Sequence, residues 1–106
     1  MFARKVSVHL KPNSSTAFIK QIENDTIPTL RKQSGFQGEL TLLVSDGSEA
    51  VAISFWDSKE HLHAYAAVGY SEVMKNLSKF IEGNPKVENY EVANSTLHFI
   101  AVAAAA

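Results

Sequence analysis

Residues 53–70 read Ile-Ser-Phe-Trp-Asp-Ser-Lys-Glu-His-Leu-His-Ala-Tyr-Ala-Ala-Val-Gly-Tyr, and this stretch decides the fold. Ile53–Trp56 carries no charge on either of its alternating faces, which predicts a central strand buried on both sides. Asp57 and Glu60 have the spacing of a capping box, which predicts a helix directly after the strand. Gly69 interrupts that helix. Because the stretch contains the chain's only tryptophan and two of its three tyrosines, we expect a binding site to draw its walls from here.

The residues before this stretch predict an antiparallel hairpin. Residues 36–45 alternate between two faces. Asp46-Gly47 is typical of a two-residue type I′ turn, which needs positive φ at both central positions. Residues 50–56 then form the second arm of the hairpin and end in Trp56.

The N-terminal third predicts a strand followed by a helix. Residues 2–10 alternate with a period of two, and the face turned toward the helices is expected to consist of Phe2, Arg4, Val6, Val8 and Leu10. Residues 15–33 carry apolar side chains at spacings of three and four, which is typical of an amphipathic helix. Because Pro28 lacks a backbone donor, we predict a kink near Thr26–Ile27, with two short helices as the alternative.

The C-terminal third predicts a helix followed by a strand. A helical apolar stripe restarts at Tyr70 and continues to Glu82, and the following Gly-Asn-Pro is typical of a helix end. Residues 86–102 predict a last strand with an interruption near Asn94. Residues 103–106 are expected to fray.

The order β-α-β-β-α-β predicts an α+β, ferredoxin-like fold, with residues 1–106 as one domain. Short, right-handed connections give a four-stranded antiparallel sheet in the order 4-1-3-2, with both helices on one face. The other face stays uncovered. We expect it to carry Ala52, Ser54, Trp56, Ile100 and Val102. An uncovered apolar face usually meets another surface, so we predict a homodimer formed sheet against sheet.

Composition excludes several classes of function. With 106 residues, a net charge of −1 and well-mixed acids and bases, the chain lacks the basic patch of a nucleic-acid-binding protein or of an anionic-membrane anchor. It has no cysteine, which excludes disulfides and thiolate chemistry. No apolar run reaches the length of a membrane span and no signal core follows Met1, so we expect a cytoplasmic protein. His61 and His63 point to different sides of a helix, and there is no glycine-rich phosphate loop, so neither a metal nor a cofactor is predicted.

Three stretches together resemble the antibiotic-biosynthesis-monooxygenase-like domain of the dimeric α/β-barrel superfamily. They are a kinked helix end that runs into Gly-Phe (27–36), the sequence Phe-Trp-Asp-Ser-Lys-Glu (55–60), and Leu62 followed by Tyr65. The resemblance covers nearly the whole chain and implies a dimeric α/β barrel. It implies chemistry less specifically, because relatives range from cofactor-free oxidation of phenolic polyketides to heme degradation.

Heme-degrading relatives place an Asn on the first strand and a Trp and a His on the second helix. This chain has Val6, Tyr65 and Lys75 at those positions, so heme degradation is disfavoured. Phenol-oxidising relatives surround a pocket with Trp and Tyr side chains. The resemblance therefore implies a similar part for Trp56, Tyr65 and Tyr70.

Five residues are candidates for a site, and four of them have a structural alternative. Trp56 is expected to stack on a flat aromatic substrate, or to pack in the core or interface. His61 and Tyr65 share one helix face. His61 is expected to act as a base near neutral pH and Tyr65 as a hydrogen-bond donor. The structural alternative is a solvated histidine beside a core tyrosine. Tyr70, beyond the helix break, is expected to handle a proton. Arg4 is expected to bind a carboxylate or phenolate, and the alternative is that its side chain extends to solvent.

Two functions remain open. The first is a cofactor-independent, monooxygenase-like oxidoreductase that acts on a small aromatic or quinone-type substrate. The second is a non-enzymatic dimeric module that binds a small ligand or a partner. The second is favoured if Val6, Val8 and Leu10 fill the space between helices and sheet as ordinary core.

Overall fold

The computed structural model describes residues 1–97. The end of the predicted last strand and the predicted frayed tail 103–106 lie outside the described residues. In chain order, the elements are β1 (Phe2–Leu10), α1 (Ser15–Gln21), a π-helical turn (Ile22–Thr26), α2 (Ile27–Arg31), β2 (Phe36–Leu43), β3 (Glu49–Trp56), α3 (Lys59–Ala67), α4 (Gly69–Leu77), a 3₁₀ turn (Ser78–Phe80) and β4 (Ile81–Glu91).

The sheet has the predicted topology. Its strands are ordered β2-β3-β1-β4, and every neighbouring pair is antiparallel, which is the predicted order counted from the other edge. The helices pack on one face of the sheet around a continuous apolar core that includes Phe18, Leu30, Leu62 and Val73. The α+β, ferredoxin-like fold is therefore confirmed.

Trp56 lies on the helix-covered face, so the prediction that it stands on the uncovered face was wrong. In the sheet register it is opposite Phe2 of β1 and Phe36 of β2, and its side chain is fully buried in the core beneath the helices. Because side chains alternate along a strand, Ser54 and Ala52 point to the same helix-covered side.

The uncovered face carries the other set of side chains. Ala3 and Phe55 are buried there in a second apolar cluster, to which the described residues contribute no helix. Leu40 and Ile53 pack against this cluster, and Leu42, on the same face of β2, is 51% exposed. Ile100 and Val102, which were expected on this face, lie outside the described residues.

The first helical region does not end at Pro28 but changes its helix type just before it. α1 passes into the π-helical turn, and α2 follows with Pro28 in its first turn. A proline ring collides with the carbonyl four residues earlier in a regular helix, and the wider π turn is one of the few arrangements that relieves this. The irregularity predicted near Thr26–Ile27 is therefore found as a π-helical turn, which joins two short α-helices as in the alternative prediction.

The second helical region breaks one residue before Gly69, at Val68, whose φ and ψ are −122° and −59°. The predicted interruption is confirmed. The residue that caps α3 differs from the prediction, because the Ser58 hydroxyl accepts a hydrogen bond from the His61 N–H at 3.2 Å. Asp57, the predicted cap, instead places its Oδ1 2.6 Å from Nδ1 of His61.

Two predicted element ends are wrong. α4 ends at Leu77 and β4 begins at Ile81, although the helix was predicted to continue to Glu82. Gly83 has a φ of 69° and lies, with Pro85, where the register between β1 and β4 shifts. An edge strand tolerates such residues because one side of it needs no hydrogen-bonding partner in the sheet.

The hairpin between β2 and β3 does not contain a type I′ turn. Gly47 has a φ of 75°, but the φ of Asp46 is not positive. Oδ1 of Asp46 accepts a hydrogen bond from the Ser48 N–H at 2.9 Å, and the Val44 N–H donates to the Glu49 carbonyl at 3.0 Å. The loop is therefore longer than predicted and is held by the Asp46 side chain.

Candidate functional site

A cavity lies between the sheet and the helices. Most of its wall is apolar and includes Val6, Phe18, Leu30, Ala52 and Met74. Six polar side chains also reach it: Arg4, Thr26, Glu39, Ser54, Tyr65 and Tyr70. An apolar pocket with a few converging polar groups is the usual composition of a small-molecule site.

Three of the five residues predicted for the site line this cavity. They are Arg4 from β1, Tyr65 from α3 and Tyr70 from α4. Trp56 lies behind Tyr65, with the two rings stacked at a centroid distance of 4.9 Å and an angle of 23°. Trp56 therefore supports the wall of the cavity and does not form it.

The Tyr65 ring is fixed between two other aromatic rings. It stacks on Trp56 on one side and meets the Tyr70 ring edge-on at 6.2 Å on the other. Burial raises the pKa of Tyr65 to about 12, with Arg4 opposing the shift. At neutral pH the Tyr65 hydroxyl is therefore protonated and serves as a hydrogen-bond donor.

Gly69 permits the close approach of α4 to Tyr65. A Cβ atom at Gly69 would lie 2.8 Å from Cδ1 of Tyr65 and 3.3 Å from Oε1 of Gln33. Any other residue type would displace one of these side chains. The missing Cβ atom of Gly69 therefore leaves the space that the Tyr65 ring occupies in the wall.

Arg4 is a buried cation whose Nε has no hydrogen-bonding partner within residues 1–97. The residue is 7% exposed, and its guanidinium lies over the Tyr70 ring, with 4.3 Å from Cζ to the ring centroid. Burial raises the pKa of Tyr70, and Arg4 again opposes the shift. An unpartnered donor in an apolar wall is destabilising, so Arg4 is suited to donate a hydrogen bond to an oxygen atom of a ligand.

Thr26 is a second buried polar residue of the cavity. It lies in the π-helical turn, is 5% exposed, and its Oγ1 makes no hydrogen bond to any of the described residues. π-helical turns occur often at functional sites. The turn is tied to α4 by Asp25, whose Oδ2 accepts a hydrogen bond from Nδ2 of Asn76 at 2.6 Å.

Glu39 lines the cavity and was missed by the sequence analysis. Its half-buried carboxylate accepts a hydrogen bond from the Thr41 hydroxyl, and burial raises its pKa, against the smaller effect of that bond. A bulge between Phe36 and Gly38 sets the face to which Glu39 points. The available signal was the hairpin register, which pairs Glu39 with Ser54.

His61 lies outside the cavity wall. It is partly exposed at the start of α3, and its Nδ1 lies 2.6 Å from Oδ1 of Asp57. The hydrogen bond to His61 lowers the pKa of Asp57. Both side chains pack against Gly35, where an added Cβ would be 2.4 Å from Nδ1 of His61. The pair therefore fixes the junction between β2, β3 and α3.

The cavity is narrow. Its enclosed volume is about 50 Å³, whereas the whole space out to the mouth is about 530 Å³ and includes open solvent. Small-molecule sites usually measure roughly 300–1,000 Å³, so the enclosed part holds a few water molecules and no ring system. Tyr70 and Met74 are partly buried and line the cavity, so their rotation is the simplest way to widen it.

Neither a metal site nor a transmembrane helix is found in the part of the chain that the structure describes. Within residues 1–97, no group of three His, Cys, Asp or Glu side chains is arranged to hold a metal ion. The helices of the same residues are too short and too polar to cross a membrane.

Known proteins resemble this chain in structure but not in sequence. No family model matches the sequence, and no curated protein sequence resembles it significantly. Among solved structures, a monooxygenase from Streptomyces coelicolor in complex with the ligand nanaomycin D matches with a TM-score of 0.76 and 20% identity, over 91% of this chain and 90% of that chain.

Two further structures match over most of their length. A putative antibiotic biosynthesis monooxygenase from Nitrosomonas europaea has a TM-score of 0.72 and 14% identity, over 89% of this chain and 100% of that chain. A putative antibiotic biosynthesis monooxygenase from Deinococcus radiodurans has a TM-score of 0.71 and 15% identity, over 92% of this chain and 97% of that chain. The chain therefore has the fold of the antibiotic-biosynthesis-monooxygenase-like proteins, as the resemblance predicted.

Proposed function

We propose that this protein binds a small aromatic or quinone-type molecule in the cavity and assists its oxidation by O₂ without a dedicated cofactor. The observation that carries the proposal is the buried Arg4 beside Tyr65 and Tyr70 in a largely apolar cavity, with its Nε lacking an acceptor within residues 1–97. The fold shared with a monooxygenase that binds nanaomycin D supports it.

Each lining residue has a role that follows from its chemistry. Tyr65 and Tyr70 pack against the flat face or edge of the ligand and donate hydrogen bonds to it. Arg4 stabilises the oxygen that becomes negatively charged during the reaction. Trp56 keeps Tyr65 in place from behind, and the proposal requires no role for His61.

The overall reaction is balanced without a cofactor. With an anthrone-type substrate, the methylene group opposite the ketone becomes a second carbonyl group. One atom of O₂ becomes that carbonyl oxygen, and the other leaves as water with the two methylene hydrogens. The substrate itself supplies the electrons that reduce O₂.

The second candidate is a non-enzymatic module of the same fold that binds a small ligand or a partner. The narrow enclosed volume favours it, because Val6, Phe18 and Leu30 fill much of the space between helices and sheet. The two candidates differ in whether a bound molecule is changed.

Oxygen uptake by the purified protein tests the proposed activity. Anthrone- and quinol-type compounds are mixed with the wild-type protein and with Arg4→Met, and O₂ consumption is compared with that of buffer alone. The proposal predicts uptake above background for the wild type and a loss of roughly 100-fold in Arg4→Met, the usual cost of one charge-stabilising group. Saturable binding without O₂ uptake would support the second candidate instead.

We also propose a homodimer formed through the uncovered face of the sheet. Leu40 and Ile53 are only partly buried on this face, and Leu42 is mostly exposed. Exposed apolar side chains grouped on one sheet face are typical of a protein–protein interface. A second copy of this chain would present the same apolar face, so that each copy would cover the apolar face of the other.

A further inference from the structure

Glu39 and Arg4 stand at the two ends of one row of side chains on the cavity floor. Arg4 of β1 is opposite Ser54 of β3, and Ser54 is opposite Glu39 of β2. All three side chains line the cavity. Two strand spacings separate the backbone of Arg4 from that of Glu39, which is roughly 10 Å.

The two charges do not neutralise each other. Within residues 1–97, no cationic nitrogen comes within ion-pair distance of the Glu39 carboxylate, and Nε of Arg4 has no acceptor. Ser54 lies between the two strands, and its Oγ accepts a hydrogen bond from Nε1 of Trp56 at 2.9 Å. Unpaired charged groups in a largely apolar cavity are destabilising, and a ligand that contacts both removes this cost.

We propose that Glu39 is the catalytic base of the cavity and that Arg4 binds the oxygen that takes up the resulting negative charge. This role rests on the proposed function. In the step, a C–H bond next to an aromatic ketone system breaks, and the proton passes to a Glu39 carboxylate oxygen. The electron pair stays on the substrate and is delocalised onto its oxygen, which Arg4 contacts.

Glu39 suits this role better than the other titratable groups of the cavity. Burial raises its pKa from the ordinary value of 4.5, and a carboxylate with a raised pKa is a stronger base at neutral pH. Tyr65 and Tyr70 both have raised pKa values, so they stay protonated and cannot accept the proton. The Thr41 hydroxyl holds the Glu39 carboxylate through a hydrogen bond.

The placement of Arg4 and Glu39 two strands apart selects a class of substrate. A ligand must place its charged oxygen and its acidic hydrogen at opposite ends. A six-membered ring with a hydrogen-bonding contact at each end has a length comparable to the roughly 10 Å between the backbones of Arg4 and Glu39. Rotation of Tyr70 and Met74 would make room for such a ring. Ketones with an acidic methylene group across the ring, and the phenols into which they tautomerise, satisfy this condition. Ligands that carry both groups on one edge do not.

Hydrogen–deuterium exchange tests the base without oxidation. An anthrone-type ketone is incubated with protein in D₂O under anaerobic conditions, and the loss of its methylene signal is followed by NMR. We expect the wild-type protein and the exposed control Glu60→Gln to accelerate exchange equally. Glu39→Gln should slow it by roughly 100-fold or more, the usual contribution of a general base. Glu39→Asp, which keeps a carboxylate, should lie between them.

A binding measurement distinguishes the loss of the catalytic base from the loss of the binding site. Fluorescence of Trp56, the only tryptophan of the chain, reports binding to each variant and shows that each is folded. Normal binding with slow exchange in Glu39→Gln supports the assignment. Exchange at the wild-type rate in Glu39→Gln overturns it, and wild-type O₂ uptake would then leave the proposed function standing. A wild-type protein that neither binds the ketone nor takes up O₂ overturns both.

Discussion

Arg4 and Glu39 occupy positions that are rare for charged residues, since each faces the interior side of a sheet. Arg4 is 7% exposed and contacts the face of Tyr70. Glu39 is bound to Thr41 and has no cation beside it in the described residues. Charged groups at such positions lower the stability of the fold, which makes a functional role the better explanation.

The pKa of Glu39 predicts a pH-dependent effect of Glu39→Gln on stability. Because the folded state raises this pKa, it binds the proton more tightly than the unfolded state does. The carboxyl group therefore contributes most to stability below the ordinary pKa of 4.5, and this contribution is lost as the pH rises through the folded-state pKa.

Glu39→Gln should therefore melt at a higher temperature than the wild type at neutral pH, and the difference should shrink below pH 4.5. Thermal denaturation at several pH values measures it, with the exposed Glu60→Gln as the control. A wild type that is more stable than Glu39→Gln at neutral pH would show that the carboxylate is stabilised by a partner in the fold.

At the scale of elements, the order and type of the strands and helices follow from the sequence. The buried strand before Asp57, the helix break beside Gly69 and the π-helical turn before Pro28 each have a local cause that the residues show directly. Topology then follows from short, right-handed connections. These parts of the fold are confirmed.

The faces of the strands were harder to predict. Alternation shows that Trp56 and Phe55 point to opposite sides, but not which side the helices cover, because the crossover connections decide that. The bulge before Gly38 changes which side residues of β2 face, and this concealed Glu39. The cavity depends on how α4 packs on Tyr65, and no local pattern in the sequence predicts that packing.

The junction between α3 and α4 predicts the effect of Gly69→Ala. Alanine favours helix by up to about 1 kcal/mol, but its Cβ would lie 2.8 Å from Cδ1 of Tyr65, and such overpacking costs roughly 1–3 kcal/mol. We expect a net loss of stability and weaker ligand binding, because the Tyr65 ring must move.

Chemical denaturation and a fluorescence titration measure both effects. The matched control is Glu72→Ala, an exposed position on the same helix. If Gly69→Ala were more stable than the wild type and bound ligand equally well, the close packing at this junction would not control the position of Tyr65.

At the scale of the whole molecule, the proposed dimer depends on the uncovered face of the sheet. Leu42→Lys places a charge on that face, whereas Val68→Lys places one between α3 and α4, at an apolar residue that is 74% exposed. We expect the wild type and Val68→Lys to sediment as dimers and Leu42→Lys to shift toward the monomer, because a buried unpaired charge is costly.

Sedimentation at micromolar concentrations measures this shift. A monomeric wild type would contradict the dimer. Equal dissociation of both lysine variants would show that the uncovered face has no special part in the assembly.

The central claim is that the space between helices and sheet is a ligand site, and filling that space tests it most directly. Ala52 lies on the cavity floor, so Ala52→Leu occupies much of the enclosed volume, whereas Ala67→Leu adds the same atoms at an exposed position of α3. The measurement is a titration of each protein with an anthrone- or quinone-type compound, followed by Trp56 fluorescence. We predict saturable binding to the wild type and to Ala67→Leu, and affinity at least about tenfold weaker for Ala52→Leu, equal to about 1.4 kcal/mol. Equal binding to all three proteins, or no binding to the wild type, would contradict the claim.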